Sequence, residues 1–139
     1  MFKPKVLPLL LPLLLTMPFA QADEVWNTNT GKIVYDSDQG STAVWTYGEK
    51  EQAGVIYILG LAQVYQNRTR YDGYWAQKTA KQKCNSERIG LNGKLTPYWG
   101  RFQIRFIDKD FPSRWEALWS YCDQPAQASK IIGTPITAQ

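Results

Sequence analysis

Between residues 98 and 107 the chain alternates: Tyr98, Gly100, Phe102, Ile104 and Phe106 fall on one side, and Trp99, Arg101, Gln103 and Arg105 on the other. A period of two gathers apolar groups only in an extended strand, because a helix would scatter the same residues around its axis. One dry face and one wet face is the pattern of an antiparallel sheet covered on a single side. This strand therefore needs partners of the same kind, and the rest of the chain has to supply them.

Candidate partners are present. Residues 41–47 set Ala43, Trp45 and Tyr47 against Thr42, Val44 and Thr46. Residues 55–61 are apolar on both alternations, as expected of a central strand. Residues 71–77 alternate again, and 33–35 are a short apolar run ended by a polar turn over 36–40. Residues 23–32 are polar and turn-rich, with Trp26 as the one group able to pin them to a core. Residues 113–122 read two ways. As a helix, Asp110 caps it and Phe111, Trp115, Leu118, Trp119 and Cys122 share a stripe; as a strand, Trp115, Ala117, Trp119 and Tyr121 share a face. The surrounding meander favours the strand. About six or seven short strands in roughly 100 residues predict a mostly-β fold, a small antiparallel barrel or a compact sandwich. One short C-terminal helix is the alternative for the last segment.

The start of the chain has the three parts of an export signal. Lys3 and Lys5 make a basic start, residues 6–20 are apolar apart from Thr16, and Ala20-Gln21-Ala22 is a small-x-small cleavage site. The apolar run is shorter than the roughly 20 residues of an ordinary spanning helix. The expected organisation is a signal peptide over 1–22, a single β-rich domain over 23–123 and a flexible tail over 124–139. The mature chain then has no transmembrane segment and is periplasmic or extracellular. Removing Lys3 and Lys5 from the 16 basic residues leaves 14 against 12 acidic ones, so the net charge falls from +4 to +2. So small a charge gives no reason to expect nucleic acid as a partner. Cys84 and Cys122 are the only two cysteines. An even count in an oxidising compartment reads as one disulfide, worth roughly 4 kcal/mol by loop closure.

The chain has no histidine, which removes histidine-based triads, proton shuttles and histidine zinc sites. No Ser-x-x-Lys, Cys-x-x-Cys or phosphate-cradling glycine motif occurs, so neither a cofactor nor a metal is expected. Asp72, Asp108, Asp110 and Glu116 supply the arithmetic of a two-carboxylate glycan-acting enzyme. Acids in such turns more ordinarily cap them or pair with Arg105 or Arg114. Asn67-Arg68-Thr69 matches the glycosylation triplet, a pattern with meaning only in a cell that glycosylates exported chains.

The aromatic content is the remaining lead. Six tryptophans and eight tyrosines are heavy for one small domain, and most are expected to fill its core. Trp99 is the exception, since it falls on the charged face of its strand. Trp99, Arg101, Arg105 and Arg114 form a candidate surface for a protein or cell-envelope component. The first expectation is thus an exported, non-enzymatic binding module, an inhibitor of a cell-wall hydrolase being one concrete form. The alternative is a barrel holding a small apolar ligand in an aromatic pocket of Trp75, Tyr98, Trp115 and Trp119. A glycan site would instead draw on Trp75, Tyr98 and Trp99 with Asp72 or Gln103.

Overall fold

A computed structural model of the chain describes residues 24–126 and 129–136; the expected leader over 1–22 lies outside the described residues. The described residues form ten strands: β1 (Val25–Thr28), β2 (Gly31–Gln39), β3 (Thr42–Tyr47), β4 (Gly54–Leu59), β5 (Arg70–Gln77), β6 (Arg88–Ile89), β7 (Leu95–Thr96), β8 (Trp99–Phe106), β9 (Trp115–Trp119) and β10 (Ser129–Pro135). Eight of them form a closed antiparallel barrel, and β6 and β7 pair as a separate hairpin. Each barrel strand pairs with the next one in the chain, β5 meets β8 across the inserted hairpin, and β10 closes on β1. The choice between barrel and sandwich is thereby settled as an up-and-down barrel, whose own wall has no free edge.

The alternation of β8 holds as read. Phe102, Ile104 and Phe106 are buried in the barrel interior, and Arg101, Gln103 and Arg105 are exposed outside. Residues Trp115–Trp119 are a strand. Trp115 pairs with Phe106 of β8 on one side and with Gly133 of β10 on the other. A helix in this place would leave both neighbours with unpaired backbone groups.

Three expectations need correction. The tail expected over 124–139 contains β10, the strand that closes the barrel. Gly133 reads as a strand breaker, yet the Trp115 indole lies across it, and a Cβ there would collide with the ring. The turn-rich start contains β1, whose Trp26 is fully buried. The polar run 36–40 is mostly strand: β2 continues to Gln39, with a register shift between Tyr35 and Ser37 that absorbs one residue as a bulge.

Two apolar clusters result. The larger fills the barrel interior. The smaller lies outside the wall, where Val44, Val55, Tyr57, Ala76 and Trp99 are covered by the excursion 78–98 that carries β6 and β7. Tyr57 Oη donates to Gly90 O at 2.9 Å, and Tyr74 Oη to Ile89 O at 2.9 Å. This cover explains why β4 is apolar on both faces: Ile56 and Ile58 point in, and Val55 and Tyr57 point to the outer cluster.

Candidate functional site

The barrel has two ends of different construction. At one, the loop 60–69 folds across the opening. Arg68, the middle residue of the glycosylation triplet, is fully buried there. Its guanidinium meets the Glu24 carboxylate in a two-pronged pair, with N–O distances of 2.9 and 2.8 Å. It also donates to Val64 O at 2.7 Å and to Ser113 Oγ at 3.1 Å. Beneath this plug Trp26, Trp45 and Trp115 pack together, Trp26 lying 4.4 Å from Trp45 and 5.8 Å from Trp115 between ring centres. This end is closed.

The other end opens into a cavity of about 600 Å³. Ile33, Ile56, Trp75, Phe102, Trp119 and Ile131 line it, and Thr30, Lys32, Gln52, Ala80, Lys81 and Tyr121 border it. Phe102 also packs edge-on against Trp115, so it divides the cavity from the filled half of the barrel. Trp75, Trp119 and Tyr121 form an edge-to-face cluster with ring centres 5.2 to 6.0 Å apart. Trp75 is fixed by its indole N–H, which donates to Ser120 O at 2.9 Å. Gly100 makes this packing feasible, because a Cβ there would strike both the Ser120 carbonyl and the Trp75 ring.

The polar groups of this wall are paired with one another. Tyr47 Oη donates to Gln77 Oε1 at 2.8 Å, and Gln77 Nε2 donates to Thr79 O at 2.8 Å. Burial pushes the Tyr47 hydroxyl far above the ordinary tyrosine range, so it stays a neutral donor. The disulfide Cys84–Cys122, with Cα atoms 5.5 Å apart, ties the excursion 78–98 to the segment after β9. Both segments contribute to the mouth, through Ala80, Lys81 and Tyr121.

The structure sorts the sequence candidates for an aromatic pocket. Trp75 and Trp119 line the cavity together. Trp115 does not: it is buried at the centre of the filled half. Tyr98 precedes β8 and is not part of the cavity wall. Phe102 and Ile131 complete the pocket; neither is in the expected aromatic set, and Ile131 lies in the segment whose sequence reads as tail.

At the candidate contact face the correction concerns Trp99, since Arg101, Arg105 and Arg114 are exposed. Trp99 does lie on the outer face of β8, but only 2% of it is exposed. Its indole N–H donates to Ser86 O at 2.8 Å, and the Arg88 guanidinium lies over its ring at 4.4 Å. The arginines are each matched by a carboxylate. Arg101 stands 3.7 Å from Asp123, Arg114 donates to Asp108 at 2.8 Å, and Arg105 is paired with Glu116, which also meets Lys130 at 3.3 Å. These contacts hold the Asp108 and Glu116 carboxyls below their ordinary range, Arg114 acting on the first, and Arg105 then Lys130 on the second. Asp72, Trp99 and Gln103 do meet, with Arg88 and Arg101, in a shallow outer groove of about 240 Å³; Trp75 faces the opposite side of the wall. None of Asp72, Asp108, Asp110 and Glu116 lines the cavity. Asp110 Oδ1 instead accepts the Asn67 N–H at 3.1 Å. Among the described residues no group of three or more Asp, Glu, Cys or His is placed to hold a metal ion, and no helix is long and apolar enough to cross a membrane.

Fold and cavity together define the class: a small eight-stranded antiparallel β-barrel with one disulfide and aromatic clusters suited to binding a ligand or a protein. Compared with known proteins, the chain matches no family model, no curated protein and no solved structure.

Proposed function

We propose that this protein is a non-enzymatic binding barrel that takes a small, mainly apolar ligand into its open end. The observation that carries this is the cavity of about 600 Å³ walled by Trp75, Phe102, Trp119 and three isoleucines. Ligand sites typically run from about 300 to 1,000 Å³, apolar in wall and with few polar groups. An eight-stranded barrel is the size at which side chains either fill the interior or leave room for one small molecule. The protein-contact reading loses Trp99 as an exposed anchor, while its three arginines stay exposed, each facing a carboxylate.

We propose too that the mature chain works outside the cytoplasm. The leader pattern and the disulfide support this, since a single structural disulfide persists where thiols are oxidised.

The test is calorimetric titration of the oxidised mature chain with a panel of small apolar molecules, beside an Ile131→Phe variant. Ile131 lines the cavity from β10, so the larger ring occupies ligand space. The expected result is uptake by the parent protein and a loss of at least tenfold in the variant at an unchanged fold. Equal binding by both chains would place the ligand elsewhere and remove the proposal.

A further inference from the structure

The charge distribution around the cavity says more about its occupant. Among the described residues that line it two are lysines, Lys32 and Lys81, and none is an acid. Both lysines are exposed, and neither stands in an ion pair among the described residues. Glu49 and Glu51 stand on the mouth loop next to Gly48 and Gln52, but neither is part of the wall, and Glu51 lies 4.0 Å from Lys78. The polar groups inside offer little to a ligand. The Tyr47 hydroxyl is used on Gln77, the Gln77 amide on Thr79, and the Trp75 indole on Ser120. The Trp119 indole N–H and the Tyr121 hydroxyl make no hydrogen bond among the described residues, but a polar group set against Ile33, Ile56 or Phe102 would lose its water and gain no partner, at a cost that selects against it. At the mouth the opposite holds: two unmatched ammonium groups face solvent beside the cavity.

From this we infer that the ligand is an anionic amphiphile, with its apolar body against Trp75, Phe102, Trp119 and Ile131 and its acidic head at Lys32 and Lys81. The inference rests on the ligand-binding reading above and deepens it. The wall fits either an alkyl chain or a fused ring, so the shared chemistry is an apolar body ending in an acid. Lysine ammonium groups serve such a head as point charges without demanding a fixed geometry. A ligand that keeps its head in water and buries only its body also avoids desolvating an ion.

The experiment varies head and body separately. Decanoate, decanol and decyltrimethylammonium share a chain and differ in charge; 2-naphthoate and 2-naphthol do the same for a ring. Each is titrated into the oxidised mature protein and into the Lys32→Gln/Lys81→Gln double variant, at low and high salt. Acid is expected to bind about tenfold tighter than the alcohol of the same body at low salt, as two exposed charge contacts allow. The cation should bind weakest, and high salt should shrink the differences. In the double variant the acid should fall to the affinity of the alcohol, while the alcohol binds as before. The pair of bodies shows whether chain or ring is preferred. An alcohol that matches its acid, or an acid preference that survives the double substitution, would overturn this inference and leave the cavity reading standing. Failure of every probe to bind would remove both.

Discussion

The two ends of the barrel are made from the same eight strands and finished in opposite ways. At the closed end the loop 60–69 turns inward and lays Arg68 on Glu24 under complete burial. At the open end the longest connection, 78–98, turns outward and lies against the wall. The reason is in the outward residues of β3, β4 and β8. Val44, Val55, Tyr57 and Trp99 offer the excursion an apolar bed outside, so it does not cross the mouth. The disulfide then holds it in that position. Strand number sets the barrel's bore; which end is filled is decided by where the loops find apolar surface or a charge partner.

The sharpest way to break this comparison is to attack the plug. Arg68→Met leaves the Glu24 carboxylate buried with no counter-charge. Losing one partner of a buried pair costs about 3–5 kcal/mol, which should appear as a large fall in the urea midpoint. Adding Glu24→Leu should restore most of that loss, because the pair's attraction largely offsets its own desolvation. A single variant that costs less than about 1 kcal/mol would mean that water reaches Arg68, and that the closed end is not closed. The disulfide comes next. Cys84→Ser with Cys122→Ser should cost about 2–4 kcal/mol, with the loop-closure value at the upper end. Its second signature is local. Amide exchange should rise at Ala80, Lys81 and Tyr121 by more than in β1 and β10. If both ends loosen alike, the mouth is not an independent unit.

Period two carried most of the barrel into view from sequence alone. It is strong in β8, where charged and apolar residues separate cleanly, and in β4, whose apolar double face reads as a central strand. It was weak in β1 and β10, which lie side by side and close the barrel. Their residues Asn27, Thr28, Gly133 and Pro135 carry turn chemistry, and only the indole packing explains Gly133. The disulfide followed from the count of cysteines. The site was half legible. Trp75 and Trp119 share the cavity as grouped, but Trp99 was misplaced because alternation reports which face a residue is on, not whether another segment covers that face. Arg68 was missed for the same reason: its burial depends on Glu24, 44 positions away, which no local pattern links to it.

The smallest predicted effect concerns acid. Asp108 and Glu116 are the two carboxyls held below their ordinary range, the first by Arg114 and the second by Arg105 with Lys130. Both sit toward the closed end, in the loop after β8 and on the outer face of β9. A carboxyl lowered by folding adds stability above its unfolded pKa and loses it as pH falls through its folded pKa. Between about pH 5 and pH 3 the parent protein should therefore lose stability faster than an Asp108→Asn/Glu116→Gln variant, in urea midpoints taken at each pH. The difference should be modest, since exposed pairs are screened by water and salt. Among the described residues no carboxylate lines the cavity. Affinity for a fully ionised probe such as 2-naphthalenesulfonate should therefore change less than stability does. Parallel acid curves for parent and variant would show that these pairs only decorate the wall. An affinity that collapses before the fold does would tie the mouth to an acid the geometry does not place there, and the two ends would no longer be separate in function.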